Sequence, residues 1–210
     1  MNGTQLVESS EERDKGILVQ NDLKWSKQCA KVVSDANRML GMIKRSFGYL
    51  NRQIVLTLYK SLVRPHLEHC VQVWRPHLQI YIKLIEGIQR RATKLLPTLK
   101  NKTYHERLHI LILTTLETRR IRGDLIEVFK LLKGYTNVDY KSFFELCTTS
   151  TQGHSLKLYK KSSQHDFRKY CFSQRVIDTW NGLPDYVINS GLVNLFKSKL
   201  DKCFTNRGFI

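Results

Sequence analysis

A mainly α-helical fold, with a small β element near its N-terminal end, is what this sequence predicts, and three observations carry the prediction. From Ser26 onward apolar residues recur at steps of three and four along most of the chain. Capping and breaking residues stand at the ends of those stretches. Alternating apolar runs are short, and they fall in the first 25 residues and at 155–159. The expected organisation is a β segment over 1–25, a helical domain over 26–134, a loop or linker over 135–155 and a helical extension over 156–210.

In order along the chain, Asn2-Gly3 is a type I′ hairpin signal with Gln5-Leu6-Val7 as the returning strand. Only Met1 precedes that turn, so the outgoing strand is expected to be cut away, leaving the torn edge of a sheet. A second strand is expected at Gly16-Ile17-Leu18-Val19, ended by Asn21-Asp22. Cys29, Val33, Ala36, Leu40, Ile43 and Phe47 then predict a helix of about five turns with Ser26 as its N-cap. Asn51 caps the next helix, with Ile54, Leu58 and Leu62 buried until Pro65 ends or kinks it, and a further segment runs to Val73 or Trp74. Pro76 opens a helix whose stripe is Leu78, Ile82, Ile85, Ala92 and Leu96 with Ile88 alongside, and Pro97 closes it.

Thr103 with Glu106, and Thr114 with Glu117, read as capping boxes, because each side chain can satisfy the other residue's free backbone N–H. The second opens a helix with Ile121, Leu125, Val128 and Leu132 inside, stopped at Gly134. A polar run from Thr148 marks the loop, and 155–159 alternates enough for a short strand. Ser173 caps a helix carrying Val176 and Trp180, which Asn181-Gly182 and Pro184 stop. Val193, Phe196, Leu200 and Phe204 mark the last helix.

Charge narrows the partners. The chain carries 35 Lys and Arg against 18 Asp and Glu, a formal net charge of +17. Residues 25–102 alone hold 15 basic against 3 acidic residues, a balance of +12. Such a field attracts polyanions, and nucleic acid, RNA or DNA, is the leading partner. Lys83, Arg90, Arg91 and Lys94 lie mostly off the apolar stripe of their helix and form the first candidate phosphate-binding strip. Lys27, Lys31, Lys44 and Arg45 form a second on the first long helix, and Lys157, Lys160, Lys161, Arg168 and Lys169 a third. Contacts of this kind give affinity without choosing a base sequence. The alternative for each residue is a solvated helix face.

Tyr59, Trp74 and Trp180 could stack on bases, but aromatic residues on a helix stripe more often belong to a core. His66, His69 and Cys70, with His77 nearby, have the spacing of one helix face, yet no second ligand pair follows at finger spacing, so no metal is expected. The five cysteines, Cys29, Cys70, Cys147, Cys171 and Cys203, are odd in number and hold no C-x-x-C pair. They argue against a disulfide framework and, with no basic-then-apolar leader, for reduced thiols in an intracellular, nuclear or cytoplasmic protein that is not secreted. None stands in a nucleophile motif, which argues against a hydrolase. No apolar run approaches the roughly 18 residues of a membrane span, and the cations spread over many helices instead of one interfacial amphipath, so no membrane partner is expected.

Several blocks in order resemble the C-terminal part of reverse transcriptases from non-LTR, LINE-type and jockey-like retrotransposons. They are Glu12-Arg13-Asp14-Lys15-Gly16-Ile17, Asp22-Leu23-Lys24-Trp25-Ser26, Leu40-Gly41-Met42-Ile43, Tyr59-Lys60-Ser61-Leu62-Val63-Arg64-Pro65, Val73-Trp74 with Pro76, and Gln89-Arg90-Arg91-Ala92. Tyr104 with Glu106-Arg107-Leu108, Arg119-Arg120 with Gly123-Asp124-Leu125, Gly153-His154-Ser155, Arg175-Val176, Trp180-Asn181 with Leu183-Pro184, and Phe196-Lys197 continue the series.

The resemblance implies that 1–25 is the edge of a polymerase palm, 26–134 a helical thumb and 156–210 its extension, together gripping template and primer. At two positions the chain departs from the family's usual residues: Lys15 replaces a Leu, putting a charge on the expected palm strand, and His69 replaces a Tyr. Polymerase chemistry needs clustered carboxylates to hold two metal ions. The chain has no adjacent Asp-Asp pair, and the resemblance implies that the catalytic aspartates and their Mg²⁺ lie in a palm upstream of Met1. No cofactor and no polymerase activity are therefore expected of this chain alone. The competing expectation is a domesticated helical adaptor that keeps the fold for protein contacts.

Overall fold

A computed structural model describes residues 9–148 and 153–206. The fold is mainly α-helical with one two-stranded antiparallel β element. The expected Asn2-Gly3 turn, the Gln5–Val7 strand and most of the polar run after Thr148 lie outside the described residues. Two compact units form: Met1–Cys70 with Trp74–Lys102, and Val71–Val73 with Thr103–Ile210. The division at Lys102 and Thr103 differs from the boundaries drawn from sequence at 25, 134 and 155.

In the first unit, β1 (Glu11–Asp14) pairs with β2 (Ile17–Gln20), Asp14 opposite Ile17. The two-residue loop Lys15-Gly16 has φ of 45° and 87°, and positive φ at both central residues is the hairpin geometry whose twist matches the strands. Lys15 therefore sits in a turn and not on a strand, contrary to expectation. The charged Glu-Glu-Arg-Asp of β1 has no apolar alternation and was not legible as a strand. Helix α1 (Ser26–Ser46) buries Cys29, Val33, Ala36, Leu40 and Ile43 as expected. Its N-terminus is served by Gln20, not by Ser26: Gln20 Oε1 accepts from Ser26 Oγ and from the Lys27 N–H, both at 3.0 Å. Gln28 returns the contact, its Oε1 accepting from the Leu18 N–H at 2.9 Å, so the hairpin is tied to the helix at both ends.

Asn51 caps α2 (Arg52–Leu58), its side chain accepting from the Ile54 N–H at 2.8 Å. The buried residues are Val55, Tyr59, Val63 and Leu67, one position away from the expected Ile54, Leu58 and Leu62. Steps of four drift by about 40° each around an ideal α-helix. The drift is absorbed by a π-helical turn at Tyr59–Val63, where the Arg64 N–H donates to the Tyr59 carbonyl. This widening comes just before Pro65, whose ring would clash with the carbonyl four residues back. Helix α3 (Arg64–Glu68) then stops, short of the expected Val73 or Trp74. Helix α4 (Gln79–Thr93) starts three residues after Pro76, with Leu78 exposed at its cap, and ends before Pro97. Its buried stripe is Ile85, Ile88, Gln89 and Ala92, and it packs on α1.

In the second unit, α5 (Tyr104–Leu111) has the full capping box expected of Thr103 and Glu106. Helix α6 (Leu116–Leu132) is capped by Thr115, one residue after the expected Thr114, and Gly134 ends it at φ 70°. Four short helices follow: α7 (Asp166–Lys169), α8 (Phe172–Arg175), α9 (Ile177–Asn181) and α10 (Asp185–Ile188); the last helix is α11 (Val193–Asn206). Cys171, not Ser173, precedes α8.

Segment 155–159 makes only a single bridge, Leu146 with Leu158. Side chains replace the missing strand. Asn181 accepts from the Leu158 N–H at 2.9 Å and donates to its carbonyl at 2.8 Å, and Trp180 Nε1 donates to the Leu156 carbonyl at 2.8 Å. The core joins α6, α9 and α11, with Phe129 and Phe196 stacked at 4.2 Å between ring centres and Trp180 buried beside Phe196. Arg175 and Asp124 form a buried ion pair, and Arg175 also donates to the carbonyls of Val71 and Gln72.

Candidate nucleic-acid interface

The end of α1, the connection 47–51, the end of α4 and the turn after it surround a groove of about 950 Å³ within the first unit. Cations come to it from four places: Lys44 from α1, Arg52 from the start of α2, Arg91 and Lys94 from the end of α4, and Lys100 beyond Pro97. All five are exposed. Among the described residues no Asp or Glu lines the groove, and none of the five cations has a carboxylate partner. Buried Leu40 and Leu96 back the groove, and Phe47, 39% exposed, and Tyr49, 77% exposed, stand at its side. Phe47 was expected inside the helix stripe; it instead follows α1 in an extended conformation.

Local structure explains why charge gathers here. Lys44 and Arg45 occupy the last turn of α1, and Arg90 and Arg91 the last turn of α4, where cations complement the negative end of the helix dipole. Packing α1 on α4 brings those two ends together. Five like charges without a carboxylate among them repel one another, and an anion laid in the groove removes that repulsion.

Of the eight cations in the first two strips, the groove unites Lys44, Arg91 and Lys94. Lys83 and Arg90 are exposed on α4, and Arg45 on α1, but none of the three lines it. Lys27 and Lys31 are engaged elsewhere: Lys27 Nζ lies 2.5 Å from Glu11, and Lys31 Nζ lies 2.9 Å from Asp35, which Arg38 also reaches at 3.2 Å. The Lys31 hydrogen bond holds the Asp35 carboxyl below its ordinary value, against the opposing effect of burial. Arg52 and Lys100 were missed because each is an isolated cation near a helix boundary, invisible to a search for charged helix faces.

The third strip, in the second unit, is partly neutralised. Lys160 pairs with Asp178, and Lys161 pairs with Glu145 at 2.5 Å. Arg168 and Lys169 are exposed on α7.

Tyr59, Trp74 and Trp180 are all buried, so none offers a face to a base. Their polar atoms are used internally: Tyr59 donates to Gln89 Oε1 at 2.6 Å, and Trp74 Nε1 to the His69 carbonyl at 2.7 Å. His66, His69 and Cys70 do not share a helix face, because α3 ends at Glu68 and Cys70 has φ of 50°. His69 Nε2 lies 3.2 Å from the Lys15 carbonyl, and among the described residues no group of His, Cys, Asp and Glu is placed to hold a metal ion. Among the described residues none of the five cysteines forms a disulfide, and no helix is long and apolar enough to cross a membrane. No protein-family model, curated protein or solved structure matches the chain.

Proposed function

We propose that this chain binds RNA or DNA through the sugar-phosphate backbone, along the groove formed by the ends of α1 and α4. The observation that carries the reading is the convergence of Lys44, Arg52, Arg91, Lys94 and Lys100 on one surface that no carboxylate lines among the described residues. Phosphate contacts release condensed counterions, so five of them give log K against log salt a slope of about −4. Fluorescence anisotropy with a labelled oligonucleotide over a salt series tests this. A flat response, or binding that survives neutralisation of the groove cations, overturns it.

The ordered blocks that resemble non-LTR retrotransposon reverse transcriptases extend the proposal. On that reading the chain is the thumb and C-terminal extension of an RNA-directed DNA polymerase, holding template and primer over metal ions that a palm supplies. Its contribution is position and not bond chemistry. Transcripts that continue upstream into an open frame with paired aspartates support this; primer extension by the chain alone with Mg²⁺ or Mn²⁺ opposes it. The competing reading as a helical adaptor draws on Ile80 and Leu84, one turn apart on α4 and 68% and 41% exposed. Capture of a protein partner that resists nuclease and ignores salt favours it.

A further inference from the structure

The groove is more than a strip of charge. Phosphate contacts need only cations, whereas this groove also presents Tyr49, Phe47 and a backing of Leu40 and Leu96. In a duplex the base faces are stacked on one another and the outer surface offers phosphates, sugars and groove edges. Tyr49 and Phe47 gain nothing from such a surface. A single strand can turn a base inward onto the tyrosine ring while its phosphates stay on the cationic rim, the combination by which aromatic residues and cations hold unpaired strands. Tyr49 is free to do this: it is the most exposed ring on the groove, and Gly48 beside it has open space where a side chain would be. The volume of about 950 Å³ sits at the upper end of ordinary ligand pockets, room for a base with its sugar and phosphate.

Resting on the polyanion reading above, we infer that the groove is a single-strand site in which Tyr49 stacks on an unpaired base while Arg91, Lys94 and Lys44 hold the flanking phosphates. The specificity follows from chemistry: a chain of glutamates alone matches the charge but has no aromatic face for the ring.

Anisotropy of the full chain with labelled DNA of about 12 nucleotides tests this, using the single strand, the same strand in a blunt duplex, and an abasic strand of equal length, with polyglutamate as competitor. The expected result is single strand tighter than duplex and abasic strand by several-fold, with polyglutamate a poor competitor. Tyr49→Ala lowers single-strand affinity about 5- to 150-fold and leaves duplex binding unchanged, while Tyr49→Phe retains it. Because Tyr49 is exposed in a connection, the variant should keep the wild-type unfolding transition. Equal binding of all three nucleic acids, each lost on Lys44→Gln with Arg91→Gln, overturns the single-strand site and leaves the phosphate reading standing. Tighter binding of polyglutamate than of the strand, or no binding by any probe, overturns both.

Discussion

Asp124 and Arg175, 51 positions apart, form a two-pronged ion pair in the interior of the second unit, with Nε and a terminal nitrogen of the guanidinium 3.0 and 3.1 Å from the two carboxylate oxygens. Both side chains are almost fully buried. The guanidinium also donates to the Val71, Gln72 and Tyr170 carbonyls. Such a pair contributes little net energy when intact, because desolvation offsets attraction, but it is costly to break from one side. Asp124→Ala or Arg175→Ala is expected to cost about 3–5 kcal/mol, measured by urea unfolding. Arg175→Lys restores little of it, since an ammonium cannot span both oxygens and the carbonyls together. A loss below 1 kcal/mol in either alanine variant contradicts this.

The groove cations and the paired lysines of α1 make a matched comparison. Lys44→Gln, Arg91→Gln and Lys94→Gln should each weaken oligonucleotide binding and bring the salt slope about 1 closer to zero. Lys27→Gln and Lys31→Gln remove the same formal charge from residues already facing Glu11 and Asp35. They should change affinity far less. Equal effects from the two sets would show that overall charge governs binding, with the groove irrelevant.

Within the first unit, Tyr59 Oη donates to Gln89 Oε1 at 2.6 Å, joining the π-helical turn to α4. Tyr59→Phe keeps the ring and removes the donor, leaving a buried acceptor with one bond fewer. A loss of about 1–3 kcal/mol is expected in denaturant unfolding, with little change in the helical circular-dichroism signal.

His154 is fully buried; its Nε2–H donates to the Trp180 carbonyl at 3.1 Å, and among the described residues Nδ1 meets no hydrogen-bond partner. Burial holds this imidazole below its ordinary value, opposed by the bond to Trp180; nearby Lys157 lowers it further and Asp185 raises it. The unfolded chain then takes up the proton first as pH falls. The stability contributed by keeping His154 neutral is complete above about pH 6.5 and declines below it, until the folded form is protonated too. Unfolding free energy followed from pH 8 to 5 should fall more steeply for the natural chain than for His154→Gln. Parallel profiles would assign the pH dependence to other groups.

Helices with regular stripes were legible in the sequence, while features set by distant partners were not. The pattern Cys29, Val33, Ala36, Leu40 and Ile43 marks its own buried face, and Thr103 with Glu106 makes its cap from residues three apart. Gln20 capping α1 and Asn181 holding segment 155–159 depend on side chains brought in by tertiary structure. The one-residue error over 54–62 has a specific cause: Ile54, Leu58 and Leu62 run beside a second apolar stripe of the same spacing, Val55, Tyr59 and Val63, and spacing alone does not choose between them. The groove was half legible: Lys44, Arg91 and Lys94 lie at the ends of periodic helices, whereas Arg52, Lys100 and Tyr49 stand in or beside connections that no period marks.

Residues Val71–Val73 group with the second unit although the chain on both sides of them groups with the first. The polypeptide therefore passes between the units three times, and cleavage at one peptide bond cannot liberate either half intact. A fragment starting at Thr103 would leave the Arg175 guanidinium without two of its carbonyl acceptors. Expression of the halves as separate polypeptides should yield a C-terminal piece that is soluble only when a peptide spanning this excursion is supplied in trans.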